Sequence, residues 1–563
     1  MRFAYLFLFL FQFVDAQQDY PQDYFRLPLN IPISIAGSFG ELRPNHFHSG
    51  IDFRTQKKEG LPVFAVADGY ISRIKIGIGG YGKAIYISHP NGYTTVYGHL
   101  QHGNKLIEDF IKKQQYKEKS YEVEIFLTPQ DLVVSKSDTI AFSGNTGSSG
   151  GPHLHFEIRN TATEKIINPL LFGYDKFFLD TKSPQINGVL AYPITNFSIV
   201  NGSYTPVFLN ISLQEDGSYL ADKVVASGTI GFAVNAYDTS DYNYGKNGLY
   251  AAEVTLNGLP YFNYKLDSFS FEETKFINTF IDYERYVSQN QRFQKLFVGD
   301  FYPENIIKLK NNNGLVSVTN NFIMNYKIVL KDFNNNETAI TIPVSYGILP
   351  ISTINTPKVD SYYLKSKIEN TYTKENVTVF FPENTFYKDF SLYFDVKKDT
   401  LNLYNKTIAV NNPFTITFDV SKYPLKNIDK MFIANKDKSR IEYNKTFKKD
   451  ANWSIKTKKM SNFFIHQDTI APKIYKPNFK NGTNLNAKDY LTIHISDNLS
   501  GINTYNAFLN NEWILMEYEY KEKLLKHNLL DEIYKDGENV FKLIVTDNLG
   551  NSTTFESNFT KNK

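Results

Sequence analysis

The chain has 563 residues, with 61 lysines and arginines against 58 aspartates and glutamates and a net charge of +3. That length exceeds one ordinary core and predicts about three to five domains, while so small and interspersed a charge gives no footprint for nucleic acid. Cysteine is absent, which excludes disulfides, thiolate metal ligands and a cysteine nucleophile.

The N-terminus reads as an export signal over residues 1–16. Arg2 supplies the positive charge, Phe3 to Val14 is apolar, and Val14-Asp15-Ala16 ends in small residues, so a cut after Ala16 is expected. The apolar run is about a dozen residues, short of the ~20 that span a bilayer. No later stretch is apolar for long enough, so no membrane span is expected after cleavage, and the chain is expected in the periplasm or outside the cell.

Residues 27–178 predict a domain of short strands and tight turns. Val63–Ala67 runs into Asp68-Gly69, Tyr70–Ile76 alternates, and Ala84–His89 leads through Pro90-Asn91-Gly92 to Tyr93–Tyr97. Within an insertion over 103–135, Leu106, Ile107, Phe110 and Ile111 recur at helical spacing, predicting a short amphipathic helix between Asn104 and Lys119. Three further β modules are expected at 180–348, 349–467 and 468–563. The first and third share a pattern: Asp180-Thr181-Lys182-Ser183-Pro184 resembles Asp468-Thr469-Ile470-Ala471-Pro472. In each, one strand then ends at Asp238 or Asp497, and another at Asp332 or Asp547 before an Asn-rich turn. Short strands with such turns predict Ig-like β-sandwiches, and the whole chain reads as mainly β.

Seven of the ten histidines fall between His46 and His155. His48 and Asp52 stand four apart across Gly50. His153 and His155 lie on an expected strand, where residues two apart share a face. His99 follows the strand ending at Tyr97. Imidazole and carboxylate are the usual ligands of a catalytic zinc. Glu157 is either a group supporting such a site or half of a salt bridge. The glycine-rich run Gly144–Gly151 lacks the Gly-Lys-Ser/Thr ending of a phosphate loop; it predicts a wall poor in side chains, along which an extended peptide can lie. Asp68 is expected to shape a turn. His46, His89, His102, His466, His494 and His527 are expected outside the site.

His48-Ser49-Gly50-Ile51-Asp52, Tyr97-Gly98-His99-Leu100 and Gly147–Glu157 with its His153-Leu154-His155 resemble the lysostaphin/LytM-type zinc endopeptidases of bacterial cell walls. Gly60–Gly69 and Gly80-Tyr81-Gly82 extend the resemblance, which covers about 40–172. It implies an antiparallel β-sheet peptidase domain of the duplicated-hybrid-motif type. It implies Zn²⁺ bound by His48, Asp52 and His155, with His99 and His153 as the flanking catalytic residues. The implied substrate is a peptide of peptidoglycan, in a cross-link or stem, and in a Gram-negative cell the D-Ala to diaminopimelate bond. The β modules would place the enzyme on a wall, a glycan or a protein partner, and the insertion over 103–135 would cover the cleft. Two other readings are a wall-binding or regulatory scaffold with a silent peptidase-like module, and an exported general metalloprotease.

Overall fold

The computed structural model describes residues 20–562 apart from 242–244, 321, 352–361, 404, 424–425 and 532. The expected export signal lies outside the described residues. The protein is mainly β, in sheets that are antiparallel except for a few parallel pairs. No helix among the described residues is long and apolar enough to cross a membrane.

The N-terminal domain is built on one large sheet, beside a three-stranded sheet of Pro62–Phe64, Thr139–Ser143 and Leu100–Gly103. The main strands of the large sheet are β1 (Ile35–Gly37), β2 (Ile51–Arg54), β3 (Gly69–Ile76), β4 (Lys83–Ser88), β5 (Tyr93–Gly98), β6 (Val123–Phe126) and β7 (His153–Asn160), in the spatial order β1-β2-β7-β5-β4-β3-β6. The meander of β3, β4 and β5 follows from the alternation and turns of the sequence. The placement of β7 between β2 and β5 does not, since it joins segments about 100 and about 60 residues apart. β7 alternates strictly. Leu154, Phe156 and Ile158 enter the core with Ile51 and Phe53 of β2, while His153, His155, Glu157 and Arg159 share the opposite face. In β3 the buried Ile71 and Ile74 are three apart, and a bulge between Ile71 and Arg73 restores the alternation.

The expected helix is α1 (Lys105–Glu118). The Asn104 side chain caps it by accepting from the Ile107 amide, and Lys119 ends it in a left-handed turn. Ile107 and Ile111 are buried, but Leu106 is 63% exposed, so the apolar stripe is narrower than the sequence pattern suggests.

The next module shares its core with the first domain. Phe39, Phe47 and Ile166 sit in one cluster with Val234, Tyr264 and Ile328, and the strand Ile166–Ile167 pairs with Ser268–Phe269. Residues 362–467 hold two five-stranded sheets and a two-stranded one, packed around Trp453, Phe381 and Phe418. The last module is also a two-sheet sandwich, with Ile493 and Leu525 from one sheet facing Leu543 and Phe541 from the other. This sandwich folds back on the first domain. Leu515 is buried in that domain's core, Trp513 meets Tyr116 of α1 edge to face, and Lys112 pairs with Asp531 at 2.7 Å.

Candidate metal centre

The register of β2 on β7 sets His155 opposite Asp52. His48 enters from the loop just before β2. The result is a compact triangle of donors: His48 Nε2 and Asp52 Oδ1 are 3.1 Å apart, His48 Nε2 and His155 Nδ1 3.2 Å, and His155 Nδ1 and Asp52 Oδ1 2.8 Å. Ligands of a tetrahedral zinc at about 2.0–2.2 Å stand roughly 3.3 Å apart, so these three atoms fit one ion with small adjustments. All three residues are buried, at 2–4% exposure.

The other ring nitrogens are held in the tautomers that metal binding needs. His48 Nδ1 donates to the Ser38 carbonyl at 2.7 Å, leaving the Nε2 lone pair facing inward. His155 Nε2 donates to Glu157 Oε1 at 2.8 Å, leaving Nδ1 as the donor atom. Glu157 also accepts from Ser49 at 2.6 Å, from the Tyr81 hydroxyl and from Arg159. Both sequence readings of Glu157 therefore hold at once: it supports His155 and forms a buried ion pair. Burial works against positive charge on His155, but the carboxylates at its two nitrogens outweigh it and raise its pKa to about 9. This is an environment that favours a cation. Burial also works to raise Asp52, yet the imidazoles around it hold its carboxyl well below the usual range.

His153 and His99 lie beside this triangle with ring centroids 4.7 Å apart. His153 donates from Nδ1 to the Gly151 carbonyl at 2.8 Å and turns Nε2 to within 3.5 Å of Asp52 Oδ1. His99 donates from Nδ1 to the Thr146 carbonyl at 2.9 Å, so its Nε2 carries the lone pair. Burial, then the neighbouring imidazoles His155 and His153, push His99 down to about 3, so it is neutral at physiological pH. Its backbone is left-handed, with φ of 59°, an uncommon conformation for a residue other than glycine and one that recurs at functional sites.

A family model described as peptidase family M23 matches residues 46–116, and a Zu5-like domain model matches 361–468. Lipoprotein NlpD of Yersinia enterocolitica is 31% identical over 113 residues, which are 20% of this chain and 90% of that protein. The chain belongs to peptidase family M23. Its M23 region is also 34% identical over 131 residues to an uncharacterized metalloprotease of Haemophilus influenzae, covering 23% of this chain and 21% of that protein. It is 33% identical over 150 residues to the DD-carboxypeptidase/endopeptidase Mpg of Neisseria meningitidis serogroup B, covering 26% and 29%. The chain spans less than a third of the length of these two relatives.

Several residues of the M23 site carry no motif of their own. Arg43 donates from Nη2 to Asp52 Oδ2 at 2.6 Å and so orients the carboxylate from the side away from the triangle. It arrives there through the hairpin of Leu42–Arg43 with His46–Phe47. Gly37 makes room, since a Cβ there would lie 2.3 Å from Arg43 Nη2. Ser38, Ser49 and Tyr81 act through their hydrogen bonds to His48 and Glu157. Ser49, inside the His48–Asp52 element, and Tyr81, inside the Gly-Tyr-Gly element, lie within sequence motifs, whereas Arg43 and Ser38 do not.

The remaining histidines fall outside the M23 site. His46 is exposed and bonds the Pro44 carbonyl. His89 is buried between the Asp68 carbonyl and Thr95, and His527 holds the Leu515 carbonyl. The Asp68 side chain accepts from the Lys136 amide. Helix α1 packs on its own domain and on the last sandwich. The glycine-rich loop is touched instead by that sandwich, where Lys521 donates to the Asn145 and Ser149 carbonyls.

Proposed function

We propose that this chain is a zinc-dependent endopeptidase of the cell envelope, exported and acting on peptide bonds in peptidoglycan cross-links or stem peptides. The observation that carries this reading is the triangle of His48 Nε2, Asp52 Oδ1 and His155 Nδ1, with edges of 2.8–3.2 Å and each imidazole oriented by a hydrogen bond at its other nitrogen. His48, Asp52 and His155 would hold Zn²⁺. When bound, zinc supplies Lewis acidity at the scissile carbonyl and lowers the pKa of a coordinated water to about 7.

The chain's own groups divide the remaining work. His99, anchored at Nδ1 by the Thr146 carbonyl so that Nε2 carries the lone pair, is placed to accept a proton from the attacking water. His153, anchored at Nδ1, presents its other nitrogen to the same space and suits the oxyanion or the leaving amine. A Cβ on Gly150 or Gly151 would meet nothing within 4 Å, so a peptide backbone can approach this wall closely. The wall substrate is supported by the name of one relative, the DD-carboxypeptidase/endopeptidase Mpg.

The test is mass spectrometry of muropeptides from purified sacculi treated with wild type, His153→Ala and His155→Ala, alongside the zinc content of each. New peptide ends are expected with wild type alone, and bound zinc with wild type and His153→Ala. Intact sacculi beside digested casein would indicate a general protease. Bound zinc missing from wild type would leave a scaffold.

A further inference from the structure

The six aspartates of the internal repeat converge into two groups of three. Asp180, Asp238 and Asp332 bring one carboxylate oxygen each within 4.8 Å of one another, and Asp468, Asp497 and Asp547 do the same. The two groups are built alike. Asn336 donates its amide to Asp332 Oδ1 at 2.8 Å and its side chain to Asp332 Oδ2 and to the Asp180 carbonyl. Asn551 makes the same three bonds to Asp547 and the Asp468 carbonyl. Thr338 and Thr553 bond the carbonyls of Pro184 and Pro472, both at 2.6 Å.

Three carboxylates packed together repel one another and lose hydration, which burial makes costly unless a cation compensates. Among the described residues no lysine or arginine pairs with any of the six. Burial, then the neighbouring carboxylates, raise Asp238 to about 7. Other oxygens are left without partners around the same points. In the first group Oδ1 of Asp238, 4% exposed, and Oδ1 of Asn247, 9% exposed, take no hydrogen bond. Both residues line one cavity of about 60 Å³ together with Asp180, Asp332 and Ser38. In the second, Oδ1 of Asp497 and the hydroxyl of Ser500, a residue 4% exposed, are likewise unpaired, and the Ser500 amide donates to Asp468.

We propose that each of these two groups is a calcium site, formed by three aspartates and a neighbouring side-chain oxygen. The donors are all oxygen, without imidazole, which suits a hard cation. Calcium takes 6–8 oxygens at about 2.3–2.6 Å in flexible geometry, whereas magnesium needs a near-ideal octahedron at about 2.0–2.1 Å. Each site joins the segment entering a sandwich to the far ends of two of its strands, so an ion stiffens the junction with the preceding module. The first site also reaches the M23 domain: the Gly248 amide, next to Asn247, donates to Ser38 Oγ at 2.9 Å, and the Ser38 carbonyl holds His48.

Full-length protein stripped with chelator and dialysed against Ca²⁺ alone is expected to take up two ions per chain and to melt at a higher temperature, with no such rise in Mg²⁺. The pair Asp238→Asn and Asp332→Asn is expected to remove one ion, and the pair Asp497→Asn and Asp547→Asn the other, while His155→Ala removes neither. No uptake by wild type at millimolar Ca²⁺ overturns the proposal, whatever the variants do. Uptake that both aspartate pairs leave unchanged also overturns it, as does an equal response to Mg²⁺.

Discussion

At the scale of single residues, the site depends on what stands behind each ligand. Glu157 is wholly buried, holds His155 and neutralises Arg159, whose side chain is 4% exposed. Glu157→Gln keeps an acceptor for His155 but leaves the buried guanidinium with only the exposed Glu164, at 3.1 Å, as a charged partner. We expect zinc affinity to fall about 10–100-fold and stability to fall by roughly 3–5 kcal/mol, read by chelator competition and by denaturant unfolding. His99 separates chemistry from conformation, because asparagine tolerates its left-handed backbone. His99→Asn is expected to leave the melting temperature nearly unchanged while turnover drops about 10²–10⁴-fold, the usual contribution of a general base. A loss of fold in that variant would show that the ring serves packing instead. That His153 and His155 share a face was legible from their spacing on a strand, whereas the ligand set of His48, Asp52 and His155 was implied only by the family resemblance. Arg43 and Ser38 were not legible, since each reaches its partner only through a hairpin or a loop.

At the scale of elements, the pairing of β2 with β7 makes the triangle. Gly50 permits it: a Cβ there would lie 2.3 Å from the Phe156 carbonyl oxygen. Gly50→Ala should push the two strands apart and move Asp52 away from His155. We expect loss of bound zinc, by metal analysis, with the β content of the other modules unchanged by circular dichroism. A second close approach locks the glycine-rich loop, where Gly147 has φ of 67° and a Cβ would fall 2.3 Å from the Gly82 amide. Helix α1 was readable from its apolar spacing. The bulge in β3 was not, because it answers to the register of β4.

At the scale of the whole molecule, the last sandwich rests on the M23 domain through Leu515, through Lys521 on the glycine-rich loop, and through the pair of Lys83 with Glu517 at 2.9 Å. Leu515→Ala is expected to weaken this contact by about 2–5 kcal/mol and to speed amide exchange in α1 and in residues 144–149. Unchanged exchange there would mean that the contact is not kept in solution. The pair also gives the contact a pH dependence. Burial works to raise the Glu517 carboxyl, but Lys83 outweighs it and holds it below the usual value. A carboxyl lowered in the folded state contributes stability above its unfolded pKa of about 4.3, and that contribution is lost as pH falls through the folded value. Exchange at the contact should therefore rise below about pH 4, and Glu517→Gln should abolish that rise.

The sequence by itself determined the mainly β character, the helix within the insertion, the M23 resemblance and the repeat that marks the six aspartates. These are local patterns, set by alternation, capping and turn chemistry within a few residues. Tertiary structure alone decided that β7 lies between β2 and β5, that Arg43 braces Asp52, that the repeated aspartates meet in threes, and that the last sandwich, not the insertion, touches the glycine-rich loop. Each of those contacts joins residues far apart in the chain or turns on the path of a loop. Burial and register choose among many such pairings, and no short-range pattern records the choice.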